Sequence, residues 1–265
     1  MSNLVNFLTK LIRYDPRFQI ALILFIISLY TIFVGDFYQE SVNTYVAVLT
    51  AVVLDGLILR YQKNNWVIPY SGIVTGFLVG LILNPSFPAG LFILVAAIAI
   101  TSKYFILPGK KHIFNPAAFG LITASIFFSG AISWWGVSWS PHLGIFLFIT
   151  AGYVLLRLRR IWLPIGFLLI YWLFLASQGG PVSPIQGGIL LTLISDPTVA
   201  LFALVMIPEP QTSPIRNYFR YSFGILVAVL LIIFSLFLPS SSPDPLLTSL
   251  LAANLITFVW LRLNR

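Results

Sequence analysis

Long apolar stretches alternate with short polar segments along the whole chain. The stretches are roughly 16–22 residues long, which is the length that a helix needs to cross the hydrocarbon core of a bilayer. They predict an all-α membrane protein with about ten transmembrane helices. The predicted helices cover residues 19–35, 42–60, 70–84, 89–107, 115–133, 143–157, 161–176, 189–207, 219–238 and 246–262.

The fifteen lysines and arginines fall into six clusters, and two predicted helices separate each cluster from the next. The clusters are Lys10/Arg13/Arg17, Arg60/Lys63, Lys103/Lys110/Lys111, Arg157/Arg159/Arg160, Arg216/Arg220 and Arg262/Arg265. Short basic loops resist translocation, so all six clusters are predicted to be cytoplasmic. We therefore expect a multi-pass protein of the cytoplasmic (inner) membrane with both termini inside. The same bias explains the net charge of +8, and no nucleic-acid partner is expected.

Composition narrows the chemistry that this chain can carry out alone. Hydrophobic residues make up 59% and charged residues 8%, and the chain contains no cysteine. The absence of cysteine excludes disulfides, iron–sulfur ligation by thiolates, cysteine-based zinc sites and c-type haem attachment within the chain. The two histidines, His112 and His142, are predicted on opposite sides of the membrane, which argues against a bis-histidine haem. No metal site is expected.

The chain divides into three predicted parts. Leu4, Phe7, Leu8 and Leu11 follow helical spacing, so residues 1–18 are expected to form an amphipathic helix on the cytoplasmic surface. Polar helix-end motifs then occur twice, as Asn84-Pro85 and 208–214, and as Asn115-Pro116 and Asp244-Pro245. Each half would contain an odd number of helices, about five, so the two halves must insert in opposite orientations. Residues 19–140 and 141–265 are therefore predicted to be inverted repeats.

Three segments broken by proline or glycine are the candidate functional positions. They are residues 70–76 with the helix that ends at Asn84-Pro85, residues 112–120, and residues 208–214. Irregular backbone at membrane depth belongs in the protein interior or beside a cavity. Asn115 is a good N-cap and Pro116 a good first helical residue, and such helix starts attract anions. Plain capping is the alternative for each segment.

Single charged residues inside the predicted helices add further candidates. Asp55 lies about one turn from a cytoplasmic helix end, where it is either a functional acid or the interhelical partner of a lysine or arginine. Glu209 lies in a broken segment and is a candidate for binding a cation or a proton. Lys103 is expected to extend its amine to the cytoplasmic surface.

Together these motifs resemble the RnfD/NqrB family, whose members are membrane subunits of the Rnf complex and of the sodium-translocating NADH:quinone reductase. The resemblance covers about residues 70–265 and rests on Thr75-Gly76 with Asn84-Pro85, Phe114–Ala117, Arg160–Pro164 and Glu209–Pro214. It implies a ten-helix inverted-repeat fold, shared with urea and ammonium channels, that holds flavin for electron transfer across the membrane.

The resemblance also implies a threonine that carries FMN through a phosphodiester on the external side. The corresponding segment here is Ser129-Gly130-Ala131-Ile132-Ser133, and Ile132 has no hydroxyl. Ser133 is one position late, about 100° further around a helix. Covalent attachment is therefore not expected. The two alternatives that remain are a noncovalently bound flavin (FMN or riboflavin) and the loss of the cofactor. The predicted cofactor-binding residues are Ser129, Gly130, Ala131, Ser133, Asn115, Pro116, Thr212 and Ser213, and Trp134, Trp135 and Trp139 provide either a stacking surface or an interfacial belt.

The first functional hypothesis is an electron-transport membrane subunit that works with other membrane subunits and is not an enzyme alone. The alternative is a channel or transporter for a small solute, with Thr75, Asn84, Glu209 and Thr212 lining a pore beside Phe87 and Phe119. A third reading is a scaffold that has lost its cofactor. The sequence leaves self-association open in all three.

Overall fold

The computed structural model describes residues 15–106, 112–178, 196–209, 212–213, 217–237 and 243–263. The regular elements in these ranges are helices: α1 Pro16–Phe33, α2 Tyr38–Lys63, α3 Tyr70–Ile82, α4 Ala89–Phe105, α5 Pro116–Phe127, α6 Trp135–Ser138, α7 Pro141–Arg157, α8 Trp162–Ser177, α9 Pro197–Leu201, α10 Asn217–Phe237 and α11 Pro245–Leu263. A π-helical turn, Phe202–Met206, continues α9. Leu83 and Ile132 form an isolated antiparallel bridge.

Most of these helices coincide with predicted membrane spans to within a few residues, but two boundaries were wrong. Residues 16–18, which were assigned to the surface helix, form the first turn of α1 because Asp15 caps that helix. The fifth predicted span continues to residue 133, whereas α5 ends at Phe127. The predicted start of the eighth span, residue 189, lies outside the described ranges, and within them α9 begins at Pro197.

An acid or amide followed by proline begins four of the helices. The pairs are Asp15-Pro16, Asn115-Pro116, Asp196-Pro197 and Asp244-Pro245, and each acidic or amide side chain accepts a hydrogen bond from a backbone N–H of the first turn. The side chain satisfies an N–H that has no partner inside the helix, and proline lacks the N–H that would otherwise be unpaired. This local signal locates helix starts that hydropathy alone misses.

A stripe of glycines brings α3 and α2 into close contact. Gly72, Gly76 and Gly80 recur every fourth residue of α3, so they share one helix face. A Cβ atom added at Gly76 would lie 2.6 Å from the Val48 Cα atom, and one at Gly80 would lie 2.6 Å from the Thr44 Cα atom. The Thr44 hydroxyl donates to the Gly80 carbonyl at 3.1 Å. Small residues at this spacing allow helix backbones to pack at short distance in a membrane.

Helix length separates two groups of apolar helices. Among the described residues, α1, α2 and α11 are long and apolar enough to cross a membrane. By contrast, α3 has 13 residues, α5 has 12, and Pro197–Met206 forms a still shorter segment. At 1.5 Å per residue these three span about 15–20 Å, against roughly 30 Å of hydrocarbon. Residues 75–83 and 199–208 are buried, so these short segments lie within the bundle and position the candidate site.

Candidate functional site

The two ends of the bundle carry different polar groups, and we name them by these groups. The bridge end contains the Leu83–Ile132 bridge and residues 128–134. The basic end contains Asp55, Lys103, Arg160 and the 208–213 turn. Helix α3 connects them, since Ser71 at its start lines a pocket with Glu209 and Asn84 follows its last turn.

Asn84 organises the bridge end. Its backbone N–H donates to the Ala131 carbonyl at 2.7 Å, and its side-chain amide donates to the Gly130 carbonyl at 3.0 Å. The Asn84 side-chain oxygen accepts from the Ser86 backbone N–H at 3.0 Å and from the Ser86 hydroxyl. The structure therefore brings Asn84 against the Ser129–Ser133 segment, although 46 residues separate Asn84 from Gly130 along the chain.

The Ser129–Ser133 segment has left the helix, which corrects the rotation expected at Ser133. The backbone turns at Gly130, whose φ is +72°, and Ile132 then pairs with Leu83 as extended chain. Successive residues of an extended chain point to opposite sides, rather than about 100° apart as on a helix. Ile132 is partly buried, Ala131 is buried, and Ser129 and Ser133 are exposed. Residue 132 thus lies at the position that pairs with Leu83, and its isoleucine side chain has no hydroxyl.

The three tryptophans near this segment pack into the bundle. The Trp134 indole N–H donates to the Asp244 carboxylate at 2.9 Å, and the Trp135 indole N–H donates to the Gly80 carbonyl at 3.0 Å. Trp139 stacks on Tyr30 with ring centroids 5.3 Å apart. Trp134 and Trp135 are buried and Trp139 is partly buried. In this arrangement the three rings anchor neighbouring helices.

A buried ion pair lies at the basic end. The Lys103 Nζ atom is 3.2 Å from the Asp55 carboxylate, and the two side chains are 3% and 2% exposed. The Tyr104 hydroxyl donates to the other Asp55 oxygen at 2.6 Å. The interhelical partner that the sequence left open for Asp55 is thus Lys103. The expectation that Lys103 extends to the cytoplasmic surface was wrong, because the Asp55 carboxylate holds its amine inside.

The segment before α5 joins this ion pair to the second half of the chain. The His112 Nδ1 atom lies 2.8 Å from the Lys103 carbonyl, and burial lowers the pKa of His112. The neutral ring therefore donates Nδ1–H to that carbonyl. Asn115 accepts from the Ala118 N–H at 3.0 Å and contacts the Met206 carbonyl at 3.5 Å. Asn115 is 1% exposed and Pro116 is buried, so capping rather than an open anion site accounts for this helix start.

Arg160 holds the turn that follows α9. Its Nη1 atom donates to the Pro208 carbonyl at 3.2 Å and to the Ser213 hydroxyl at 2.6 Å. Ser213 in turn donates to the Glu209 carbonyl at 2.7 Å, and the Thr212 hydroxyl lies 3.5 Å from the Glu209 carboxylate. Sequence reasoning noted Arg160 only as part of a motif and of a basic cluster, and it missed this role. Pro210, Gln211 and Pro214 lie outside the described residues.

Glu209 faces a pocket at the basic end. Burial raises the pKa of Glu209 to about 7, while the charges of Lys103 and Arg17 and the hydrogen bond from Thr212 oppose that rise. The pocket has a volume of about 60 Å³. Arg17, Ser71 and Glu209 contribute polar groups to it, and its walls are mainly apolar side chains of α1, α3, α7 and the π-helical turn after α9.

The residues predicted to line a pore are not gathered at one place. Thr75 is buried and donates its hydroxyl to the Ser71 carbonyl at 2.9 Å. Asn84 belongs to the bridge end, about 20 Å along α3 from Ser71 at 1.5 Å per residue. Glu209 and Thr212 belong to the basic end. Among the described residues, no group of three or more histidines and acids is arranged to hold a metal ion.

Comparison with known proteins identifies the family. The model of the NQR2, RnfD, RnfE family matches residues 14–146, about half of the chain. No curated protein matches the sequence significantly. The matched region contains Asn84, the Leu83–Ile132 bridge, the Asp55–Lys103 pair and Asn115. With its apolar helices and this match, the chain is a membrane protein that belongs to the NQR2, RnfD, RnfE family.

Proposed function

We propose that this protein is an integral subunit of an Rnf/Nqr-type electron-transport complex, in which electron transfer is coupled to ion movement together with partner subunits. The observation that carries the proposal is the family match over residues 14–146, which includes Asn84 at the bridge end and the Asp55–Lys103 pair at the basic end. Because the chain has no cysteine, thiolate-bound iron–sulfur clusters must come from other subunits. Purification of this protein after gentle solubilisation tests the proposal. Redox-active membrane subunits that copurify with it would support the proposal, and recovery of the chain alone would contradict it.

The flavin proposal is that any FMN or riboflavin is bound without a covalent bond, or that the cofactor has been lost. Ile132 supports this, since an isoleucine side chain cannot form a phosphodiester. The enclosed packing of Trp134 and Trp135 leaves these rings no free face for a flavin. The pocket at the basic end, at about 60 Å³, is also far below the volumes of roughly 300–1,000 Å³ that are usual for ligands of that size.

Absorbance and fluorescence of the purified protein before and after denaturation test this proposal. Flavin that separates from the denatured chain supports noncovalent binding, and no flavin at all supports a lost cofactor. Flavin that stays on the chain contradicts both. Ser133→Ala would then identify the attachment residue, with Ser129→Ala as the matched exposed control.

We also propose the inverted topology, with the basic end in the cytoplasm, both termini inside and repeats at 19–140 and 141–265. Two helix starts support it, because Asn115 and Asp244 each accept a hydrogen bond from the N–H three residues later and each precedes a proline. The cysteine-free chain allows a direct test with an impermeant thiol reagent. Lys63→Cys should react only from the cytoplasm and Ser129→Cys only from outside, and the reverse pattern would exclude this orientation.

A small-solute channel is the second candidate, and the Glu209 pocket is the observation in its favour. Proteoliposomes are the test, with urea, ammonium and monovalent cations as solutes. Flux above that of empty vesicles, reduced by Glu209→Gln and unchanged by the control Glu40→Gln at a partly exposed position, would support a channel. Flux equal to that of empty vesicles would exclude it for these solutes.

A further inference from the structure

The pocket at the basic end combines apolar walls with two opposite charges. Its walls include Ile20, Val74 and Leu158, which are partly exposed, and Arg17 and Glu209 line the same cavity. Arg17 lies in the first turn of α1, next to Pro16. Because helix ends with basic residues lie at the level of lipid headgroups, the pocket is at the depth where headgroup and acyl chain meet.

Neither charge is neutralised by a close partner in the described part of the chain. No ion pair shorter than 4.0 Å joins Arg17 to an acid among the described residues. The carboxylate of Glu209 has only the long 3.5 Å contact with Thr212 there. The two charges nevertheless influence each other, since Arg17 is among the groups that lower the pKa of Glu209. Arg17 and Glu209 therefore line one cavity without forming an ion pair with each other.

This arrangement selects a ligand by its charges. Arg17 favours a phosphate and disfavours a free cation, whereas Glu209 favours an ammonium and disfavours a free anion. A molecule with both groups on a short linker satisfies the pair, and an attached acyl chain covers the apolar rim. A cavity of about 60 Å³ accommodates the amine end but not the chains, which then lie over Ile20, Val74 and Leu158.

We propose that this pocket binds a phospholipid with a primary-amine headgroup, with its phosphate on Arg17 and its ammonium on Glu209. The ammonium donates hydrogen bonds to the carboxylate, which a trimethylated amine cannot do. The site lies at the opposite end of α3 from Asn84 and the Ser129–Ser133 segment. The proposal is independent of flavin binding, and its readout does not use electron transfer.

Lipid retention measured by native mass spectrometry tests the proposal. Protein is exchanged into mixtures of phosphatidylethanolamine, phosphatidylcholine and phosphatidylglycerol with identical acyl chains. The wild type should retain phosphatidylethanolamine about tenfold better than phosphatidylcholine, the discrimination expected from one hydrogen bond to a charged group. Glu209→Gln should lower that ratio toward one, and Arg17→Gln should weaken retention of both lipids. Glu40→Gln, at a partly exposed position, and Lys63→Gln, at an exposed one, should leave the wild-type ratio unchanged.

Val74→Phe provides a second variant that fills the pocket without changing a charge, and it should abolish retention while the protein stays monodisperse. Equal retention of phosphatidylethanolamine and phosphatidylcholine by the wild type would overturn the proposal. A preference that survives both Glu209→Gln and Val74→Phe would do the same, since the lipid would then bind elsewhere. Stronger retention of phosphatidylglycerol than of phosphatidylethanolamine would also overturn it, because the site would then bind anionic lipids in general.

Discussion

The Lys103 Nζ atom lies 3.2 Å from the Asp55 carboxylate although 48 residues separate the two along the chain. Both charges are almost completely buried, and together they join α4 to α2. Such a pair loses most of its hydration on folding, so its net contribution is small, but each charge becomes very costly without the other. Tyr104 and the neighbouring Gly72 fix the carboxylate further, since a Cβ atom at Gly72 would lie 2.8 Å from the Asp55 Cβ atom.

Breaking this pair should destabilise the protein strongly. Asp55→Asn leaves the Lys103 amine buried without a counter-charge, and we expect a loss of about 3–5 kcal/mol. The double variant Asp55→Leu/Lys103→Met should lose less than the sum of its two single variants. Thermal unfolding in detergent measures the series, with Lys63→Met as the exposed control. Additive losses would mean that the two charges do not depend on each other.

Gly76 should be intolerant of the smallest side chain. A methyl group there would lie 2.6 Å from the Val48 Cα atom, so α2 and α3 would have to separate, and we expect Gly76→Ala to cost about 1–3 kcal/mol. Gly152→Ala is the matched control, because nothing lies within 4 Å of its added Cβ atom. That variant should be neutral or stabilise α7, since alanine favours helices. Equal unfolding temperatures for the two variants would contradict the close helix contact.

Arg160 should keep the turn after α9 in its folded conformation. Arg160→Gln removes the donors to the Pro208 carbonyl and the Ser213 hydroxyl. The Thr212 and Ser213 N–H groups, which both donate to the Glu209 carbonyl, should then exchange with solvent at least several-fold faster. Ser213→Ala should have a smaller effect, because the bond to Pro208 remains. Arg262→Gln, at the end of α11, serves as the control for a change of charge, and unchanged exchange in Arg160→Gln would contradict the role of this arginine.

Glu209 should make stability depend on pH. Its pKa is raised from 4.5 to about 7 in the folded protein, so the folded state holds this proton more tightly than the unfolded state. That contribution to stability is present below pH 4.5 and is lost as the pH rises through about 7. The unfolding temperature of the wild type should therefore fall between pH 5 and 8 relative to Glu209→Gln. Glu40→Gln should follow the wild type, and parallel wild-type and Glu209→Gln curves would contradict the shift.

Local features of the sequence were enough to predict most of the described helices and the capped start of one of them. Apolar windows of bilayer length indicate where helices lie, because burying backbone polar groups in lipid requires intrahelical hydrogen bonds. Asn115-Pro116 predicted a capped helix start, which the Asn115–Ala118 hydrogen bond confirms. The same reasoning applied to Asp196-Pro197 would have found the start of α9, where the backbone N–H groups of Thr198 and Val199 donate to the Asp196 carboxylate. These effects act within a few residues, so the sequence alone contains them.

Only the tertiary structure decided the contacts between distant segments. Helix α5 ends early because Ile132 pairs with Leu83, and this pairing changes the direction of Ser133. The Trp134 ring is buried because its indole N–H meets Asp244, which follows 110 residues later. The Lys103 amine turns inward because Asp55 lies on an adjacent helix. In each case the contact depends on a partner that is far away in sequence, so local sequence patterns do not contain it.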